Sequence, residues 1–117
     1  MKNGNIIVRV KFSFAGVLSA WTRERSFRTQ ALLAMAIIVT CVWVQPSAVW
    51  WAIMLLAISC GSAMELLNGA FETVIDHLHP AQHPEIGVAK DMASAAAFVA
   101  NCATGLAFMV MLATELL

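Results

Sequence analysis

Three carboxylates and one amide recur at helical spacing in the segment "MELLNGAFETVID", Met64 to Asp76. At 100° per residue, Glu65, Asn68, Glu72 and Asp76 fall within about 80° on one face of a helix and extend over about 16 Å of its axis. We call these four residues the acidic stripe. Carboxylate oxygens are ligands that Mg²⁺ prefers, and bound Mg²⁺ commonly carries a substrate phosphate. The stripe therefore predicts a site for a divalent cation and a phosphate.

A purely structural alternative is that the glutamates of the acidic stripe pair with nearby basic residues. The candidates for such pairs are Arg23, Arg25 and Lys90. Ionisable groups near the edge of a membrane are costly and usually have partners, so this alternative is physically reasonable. However, three acids and an amide are more than ion pairing requires, which favours a bound cation.

Further charged residues stand at the start of two other apolar segments. In "TRERSFR", Thr22 to Arg28, the arginines suit a membrane edge, where long basic side chains keep their charge in water. Glu24 lies among them, and its carboxylate needs either those arginines or a cation. Lys90 and Asp91 precede the last apolar segment, and Lys90 offers a compact positive charge suited to a phosphate. The sequence around Lys90 lacks the spacing of a Walker loop.

The elements that must position these residues are membrane-spanning helices. Apolar residues make up 61% of the 117-residue chain and charged residues 12%, which is typical of a membrane protein. No charged residue occurs in the 36 positions from 29 to 64, whereas one span needs about 20. Pro46 divides this run, because proline is unfavourable inside a helix. We therefore predict an all-α membrane protein with spans at 29–45, 48–76 and 90–115.

The distribution of basic residues predicts the orientation of these spans. Six of the seven lie before the first span, namely Lys2, Arg9, Lys11, Arg23, Arg25 and Arg28. By the positive-inside rule the N-terminus is then cytoplasmic, and three crossings place the C-terminus outside. The segment from Asp76 to Asp91 is expected to be a cytoplasmic loop. The basic residues are too few, and too well explained by topology, to indicate nucleic-acid binding.

The N-terminal segment, residues 6–25, is predicted to form an amphipathic helix in the membrane interface. Its apolar stripe consists of Ile7, Val10, Phe14, Val17, Leu18 and Trp21, within about a 100° arc. Phe12 falls on the opposite, polar side. An aromatic residue there either packs in an oligomer or stacks on a nucleotide base.

Three histidines, His77, His79 and His83, fall in the predicted cytoplasmic loop. Their proximity is compatible with a transition-metal site. Because Pro80 and Pro84 interrupt the segment, an ordinary interfacial loop is favoured, and no zinc site is predicted.

Three motifs together resemble the prokaryotic diacylglycerol kinase family: "ERSFR" before the first span, "MELLNGAFETVID" closing the second and "AKDMASAAA" opening the third. The resemblance extends from about Val10 onward. It implies a homotrimeric helical bundle in the bacterial cytoplasmic (inner) membrane. It also implies transfer of the γ-phosphoryl group of ATP, with Mg²⁺, to the hydroxyl of diacylglycerol, which gives phosphatidic acid for phospholipid recycling.

The resemblance also implies roles for individual residues. Glu65 is expected to be the catalytic base, and Glu24 and Glu72 to hold the metal. The residues expected to bind the nucleotide are Phe12, Glu24, Glu72, Asp76, His83, Lys90 and Asp91. Those expected to bind the lipid are Trp21, Arg28, Glu65, Asn68 and Ser94. Phe12 stands where relatives often carry tyrosine, so stacking is retained but a hydroxyl is absent.

Three alternatives remain open at this point. Some members of the family act on undecaprenol; "HPEIGVAKD" resembles that group, whereas "KDMASAA" and the spans resemble the diacylglycerol group, which we favour. A small multidrug-type transporter has a similar length, but it is expected to cross four times with its glutamate deep in the first span. A non-catalytic assembly subunit is the third alternative.

Overall fold

The computed structural model describes residues 4–117, so Lys2 of the predicted charge asymmetry lies outside the described residues. Four helices follow one another: α1 (Ile6–Arg23), α2 (Arg25–Val44), α3 (Ala48–Leu78) and α4 (Pro84–Leu116). Helices α2, α3 and α4 are each long and apolar enough to cross a membrane. This confirms the predicted fold class, an all-α protein with an N-terminal helix and three spans. The transporter alternative expected four crossings, and the described residues contain three such helices.

A single extended residue, Glu24, separates α1 from α2 (φ −107°, ψ 106°). The predicted N-terminal helix, 6–25, therefore ends earlier, and the first span begins before residue 29. Asn5 starts α1, since its side chain accepts a hydrogen bond from the N–H of Val8 at 3.0 Å. At the other end, Arg28 Nη1 donates to the carbonyl of Trp21 at 2.6 Å. This bond satisfies one of the carbonyls that the end of α1 leaves without a helical partner.

Most of the apolar stripe of α1 is exposed, although Val17 borders a groove beside α3. Ile7, Phe14 and Leu18 are each more than 60% exposed, and no residue of α1 is buried. An apolar helix face without a protein neighbour is suited to the membrane interface. The predicted position of α1 at that interface is thus compatible with its packing.

The connection between α2 and α3 is a tight turn over residues 45–47. Gln45 adopts the left-handed conformation (φ 54°, ψ 58°), and Pro46 is buried directly after it. A left-handed residue commonly ends a helix, and proline prevents its continuation. The turn predicted at Pro46 therefore lies where the sequence places it.

The cytoplasmic loop predicted from Asp76 to Asp91 is wrong in extent. Helix α3 continues to Leu78 and α4 begins at Pro84, so only residues 79–83 connect them, and His77 is helical. The early start of α4 has a local cause. His83 Nδ1 accepts a hydrogen bond from the N–H of Glu85 at 3.2 Å, and Pro84 occupies the first turn, where its fixed φ favours a helix.

Helices α3 and α4 form the most extensive contact of the bundle, and they run antiparallel. Two side-chain contacts define their register: Asp76 with Lys90, and Glu65 with Asn101. Eleven positions separate the two residues on each helix, so Glu72 on α3 lies level with Ser94 on α4. Toward the opposite end, Cys41, Met54 and Met111 form a small buried core.

A polar contact closes the bundle at the end opposite the acidic stripe. The N–H of Ser47, which precedes α3, donates to Glu115 Oε1 at 3.3 Å. A negative charge at a helix N-terminus is stabilising. We expect Glu115→Leu to lower the free energy of unfolding by about 0.5–1 kcal/mol. The measurement is unfolding in mixed detergent micelles.

The matched control for this prediction is Glu115→Gln, which keeps a side-chain oxygen that can accept the bond. It should retain more of the wild-type stability than the leucine variant. Equal stability of all three proteins would contradict a capping role for Glu115.

Candidate active site

The acidic stripe lies on one continuous helix, because α3 runs without interruption from Ala48 to Leu78. Glu65, Asn68 and Glu72 are partly buried, whereas Asp76 is exposed. The stripe therefore extends from partly buried positions within the bundle to an exposed position at Asp76. Partial burial of the inner three residues places their polar groups where a ligand is screened less by solvent.

Helix α4 presents a polar face of its own toward the stripe. Lys90, Ser94 and Asn101 share that face at helical spacing, and Ala97 between them is buried. Lys90 Nζ contacts Asp76 Oδ1 at 2.5 Å, and Asn101 Nδ2 donates to Glu65 Oε1 at 3.5 Å. The two ends of the acidic stripe, Asp76 and Glu65, thus contact α4 through hydrogen bonds. Asn68 and Glu72, in the middle of the stripe, make no such bond among the described residues.

Glu24 reaches the stripe from a different element. A Cβ built on Gly69 would lie 3.2–3.5 Å from the Cγ, Cδ and Oε1 atoms of Glu24, so the carboxyl group packs directly on the glycine. Gly69 lies between Asn68 and Glu72 in the sequence. Although Glu24 precedes α2, its side chain makes no capping hydrogen bond. Its carboxylate therefore lies against α3 rather than satisfying the start of its own helix.

Most carboxylates of the site have no basic partner. Between residues 4 and 117, the one ion pair joins Lys90 to Asp76, whose side chains are 35% and 65% exposed. Glu24, Glu65 and Glu72 have no described arginine or lysine within 4.0 Å. The structural alternative, in which the glutamates pair with basic residues, is thus not seen in this part of the chain. These three carboxylates remain available to a cation or a proton.

A metal bound by one chain would have two carboxylate ligands from the protein, those of Glu24 and Glu72, and not a complete set of protein ligands. Within the described range, no three His, Cys, Asp or Glu side chains are grouped closely enough to hold an ion by themselves. Mg²⁺ commonly takes one or two carboxylates and completes its shell with water and phosphate oxygens. The donor set of Glu24 and Glu72 fits that pattern.

A groove of about 600 Å³ separates α1 from α3, and both Glu24 and Glu65 line it. Apart from these carboxylates and Arg23, most of the wall consists of apolar or small side chains. The lining residues include Gly16, Val17, Ala20, Leu66, Gly69 and Ala70. The groove therefore brings carboxylates to the edge of an apolar channel.

A second cavity, of about 550 Å³, lies beside the short α3–α4 connection. His79, His83 and Lys90 line it, and it shares no lining residue with the groove. His79 Nδ1 lies 2.9 Å from the carbonyl oxygen of Ala81, and the rings of His79 and His83 meet edge to face. The predicted nucleotide residues His83 and Lys90 are thus brought together.

Other predicted site residues lie apart from these cavities within one chain. Phe12 is half exposed on α1 and lines neither cavity, and Asp91 and Ser94 are exposed on α4. Trp21 and Arg28 meet each other at the α1–α2 junction through the bond described above.

Sequence reasoning gave no role to three residues that contact the site. They are Gly69, which accommodates Glu24, and Asn101 and Gln30, whose amides both lie over Gly61, one helical turn from Glu65. The position of Asn101 could have been predicted from the sequence, since Asn101 lies at helical spacing from Lys90 and Ser94. The contacts of Gly69 and Gln30 depend on how distant helices pack, which spacing within one segment does not reveal.

Apolar spans, partly buried carboxylates and an apolar groove that reaches them define a small helical membrane enzyme. The chain belongs to the prokaryotic diacylglycerol kinase family, whose model matches residues 11–112. This confirms the family predicted from the three motifs. The protein is accordingly a multi-pass membrane protein of a kinase family.

Three curated relatives illustrate the similarity. A protein of Haemophilus influenzae named diacylglycerol kinase is 33% identical over 102 residues, 87% of this chain and 86% of its own. The diacylglycerol kinase of Escherichia coli K12 is 30% identical over 95 residues, 81% and 78% of the two chains. That of Pseudomonas aeruginosa is 37% identical over 89 residues, 76% and 72% of the two.

Proposed function

We propose that the protein transfers the γ-phosphoryl group of ATP to the hydroxyl of diacylglycerol and so produces phosphatidic acid for phospholipid recycling. The observation that carries the proposal is the position of the carboxylates. Glu65 and Glu24 line an apolar groove between α1 and α3 that is suited to acyl chains, while Asp76 of α3 contacts Lys90 of α4 at the exposed end of the acidic stripe. Such a site joins a water-soluble donor to a lipid acceptor. The names of the relatives support the same substrate.

Glu65 is proposed as the general base. One of its oxygens, Oε1, accepts the hydrogen bond from Asn101, which leaves Oε2 for the proton of the acceptor hydroxyl. Asn68 lies three residues further along the stripe, and its buried Oδ1 atom has no hydrogen-bond partner among the described residues. Because buried polar atoms are normally paired, this oxygen is suited to accept a hydrogen bond from the lipid headgroup.

Glu24 and Glu72 are the residues that would hold Mg²⁺. The fit rests on their chemistry here: Glu24 packs on Gly69, one helical turn before Glu72, and neither carboxylate has a described basic partner. Bound Mg²⁺ neutralises charge on the phosphates of ATP. The residues of the chain contribute by holding the donor phosphate beside the base and by excluding water from the groove.

The nucleotide is proposed to lie along the water-facing end of α3 and α4. Lys90 offers a positive charge for a phosphate, with Asp76, Asp91 and His83 nearby on the same end of the bundle. Phe12 is proposed to stack on the base. Because Phe12 and the second cavity lie apart within one chain, we propose that a homotrimer, as the family resemblance implies, completes the site from neighbouring chains.

The proposed orientation places the acidic stripe at the inner leaflet. Five described basic residues lie before or at the start of α2, namely Arg9, Lys11, Arg23, Arg25 and Arg28. The positive-inside rule then places the N-terminus in the cytoplasm, where ATP is available, and the C-terminus outside.

The test of this function is transfer of labelled phosphate by the purified protein in detergent micelles. Labelled ATP and Mg²⁺ are supplied with either diacylglycerol or undecaprenol, and a sample with EDTA serves as control. We expect labelled phosphatidic acid that depends on Mg²⁺. Transfer to undecaprenol alone would assign the chain to the other substrate group of the family, and transfer to neither lipid would overturn the proposal.

Gly69 provides a direct test of the proposed metal site. A methyl group at this position would press on the Glu24 carboxyl group at 3.2–3.5 Å. We expect Gly69→Ala to raise the Mg²⁺ concentration needed for half-maximal rate by about tenfold, the lower end of the range for residues that orient metal ligands. The measurement is the initial rate over a Mg²⁺ titration.

Gly105→Ala is the matched control, because a methyl group at Gly105 meets nothing within 4 Å. Its Mg²⁺ dependence should equal that of the wild type. An unchanged Mg²⁺ dependence in Gly69→Ala would argue against Glu24 as a metal ligand.

A further inference from the structure

Two amide side chains lie over Gly61 inside the helical bundle. A Cβ built on this glycine would lie 2.6 Å from Asn101 Oδ1 and 2.8 Å from Gln30 Nε2. Gly61 is buried, and Gln30 is 7% exposed. Helices α2, α3 and α4 each supply one member of this group. We call Gln30, Gly61 and Asn101 the amide cluster.

The residue types of the amide cluster lower the stability of the folded protein in two ways. Amide groups within an apolar bundle lose their hydrogen bonds to water, and a glycine inside a helix is less favourable than alanine by about 1 kcal/mol. The residues also depend on each other, since any side chain at position 61 would occupy the space of both amides. Packing alone would be served better by three apolar residues, so the cluster requires another explanation.

The amide cluster leads directly to the proposed base. Gly61 and Glu65 are four residues apart and lie on the same side of α3. Asn101 Nδ2 donates to Glu65 Oε1 at 3.5 Å, while its Oδ1 atom lies over Gly61. The oxygen of the Asn101 amide therefore lies within the cluster, and its nitrogen contacts the carboxylate. Gln30 limits the space into which the Asn101 amide can move.

We propose that Asn101 is a positioning residue for Glu65 and that Gly61 and Gln30 keep its amide in place. This inference rests on the proposed function, in which Glu65 is the base. By holding Oε1, Asn101 directs Oε2 toward the acceptor hydroxyl. The hydroxyl proton passes to Oε2, the hydroxyl oxygen bonds to the γ-phosphorus, and the bond from that phosphorus to the bridging oxygen breaks. The electron pair of the broken bond leaves with ADP.

The first variant for the test is Asn101→Leu, which keeps a similar volume and removes the amide. A misplacement of about 1 Å can lower a rate by about 100-fold, so we expect kcat to fall by about 10- to 100-fold while the KM for MgATP stays unchanged. Gly61→Ala should lower kcat in the same direction, because its methyl group displaces both amides. Gly105→Ala, with open space around its Cβ position, should leave kcat unchanged.

The decisive measurement is a double-mutant cycle between Asn101→Leu and Glu65→Gln, with kcat as the readout. If Asn101 acts through Glu65, adding Asn101→Leu to Glu65→Gln should lower the residual rate little further. A merely structural role would reduce the rate of wild type and Glu65→Gln by the same factor, and that result would overturn the proposal. Thermal unfolding of each variant separates loss of folded protein from loss of kcat.

The outcomes distinguish this inference from the proposed function. If the wild type transfers phosphate and Glu65→Gln does not, a wild-type kcat in Asn101→Leu overturns the positioning role alone. If Glu65→Gln retains the wild-type rate, the assignment of the base fails and the positioning role fails with it. If the wild type transfers phosphate to neither lipid, the proposed function itself is overturned.

Discussion

Glu65→Gln is expected to lower kcat for lipid phosphorylation by about 10²–10⁴-fold, the range that a positioned general base contributes. Glutamine has the shape of glutamate and can still accept the hydrogen bond from Asn101 through its oxygen. It cannot take the proton of the acceptor hydroxyl. The loss should therefore appear in kcat with the fold unchanged. The measurement is the initial rate at saturating diacylglycerol and MgATP in detergent micelles.

Glu115→Gln is the matched control for this prediction, since it makes the same chemical change on α4 at the opposite end of the bundle. Its kcat should equal that of the wild type. The role of Glu65 as base would be contradicted by a Glu65→Gln protein that keeps its wild-type rate. That result would favour the alternative of a non-catalytic assembly subunit.

The second large effect is expected for Glu72, the proposed metal ligand at the middle of the acidic stripe. Glu72→Gln removes one of the two carboxylates proposed to hold the metal, the other being that of Glu24. We expect the rate at fixed Mg²⁺ to fall at least about 100-fold, because loss of a group that only orients a metal ligand already costs about 10–100-fold in affinity or activity. A titration with Mg²⁺ measures the effect and should recover part of the rate.

Glu85 supplies the control for Glu72. It is an exposed acid in the first turn of α4, and Glu85→Gln should leave the Mg²⁺ dependence unchanged. If Glu72→Gln has the same Mg²⁺ requirement as the wild type, Glu72 does not hold the metal. A lower rate without a changed Mg²⁺ requirement would instead place Glu72 on the nucleotide.

Much of the fold follows from the sequence because the membrane simplifies the problem. Length and apolarity alone predicted three spans, and Pro46 marked the turn between the first two. Helical periodicity placed Glu65, Glu72 and Asp76 on one face, and α3 is helical throughout that segment. These properties are local, so one segment contains all the information they require.

Structural features that depend on how two segments of the chain pack or connect were harder to predict from the sequence. The loop between α3 and α4 was predicted too long because the apolar run of the last span begins at Met92, whereas capping by His83 starts the helix at Pro84. The contact of Glu24 with Gly69 joins residues 45 positions apart. Nothing in the spacing of either segment indicates that contact, because it arises from the way α1 and α2 diverge at Glu24.

Only one non-helical residue, Glu24, connects α1 to α2. The orientation of α1 relative to α2 therefore depends on the number of residues at this junction as well as on their types. One residue inserted into the last turn of α1 would turn the preceding part of the helix about its axis by about 100° relative to α2. The exposed apolar side of α1 would then point in a different direction, and the Glu24 carboxyl group would lose its contact with Gly69 of α3. Substitutions within the surface helix should thus be tolerated far more readily than insertions or deletions at its end.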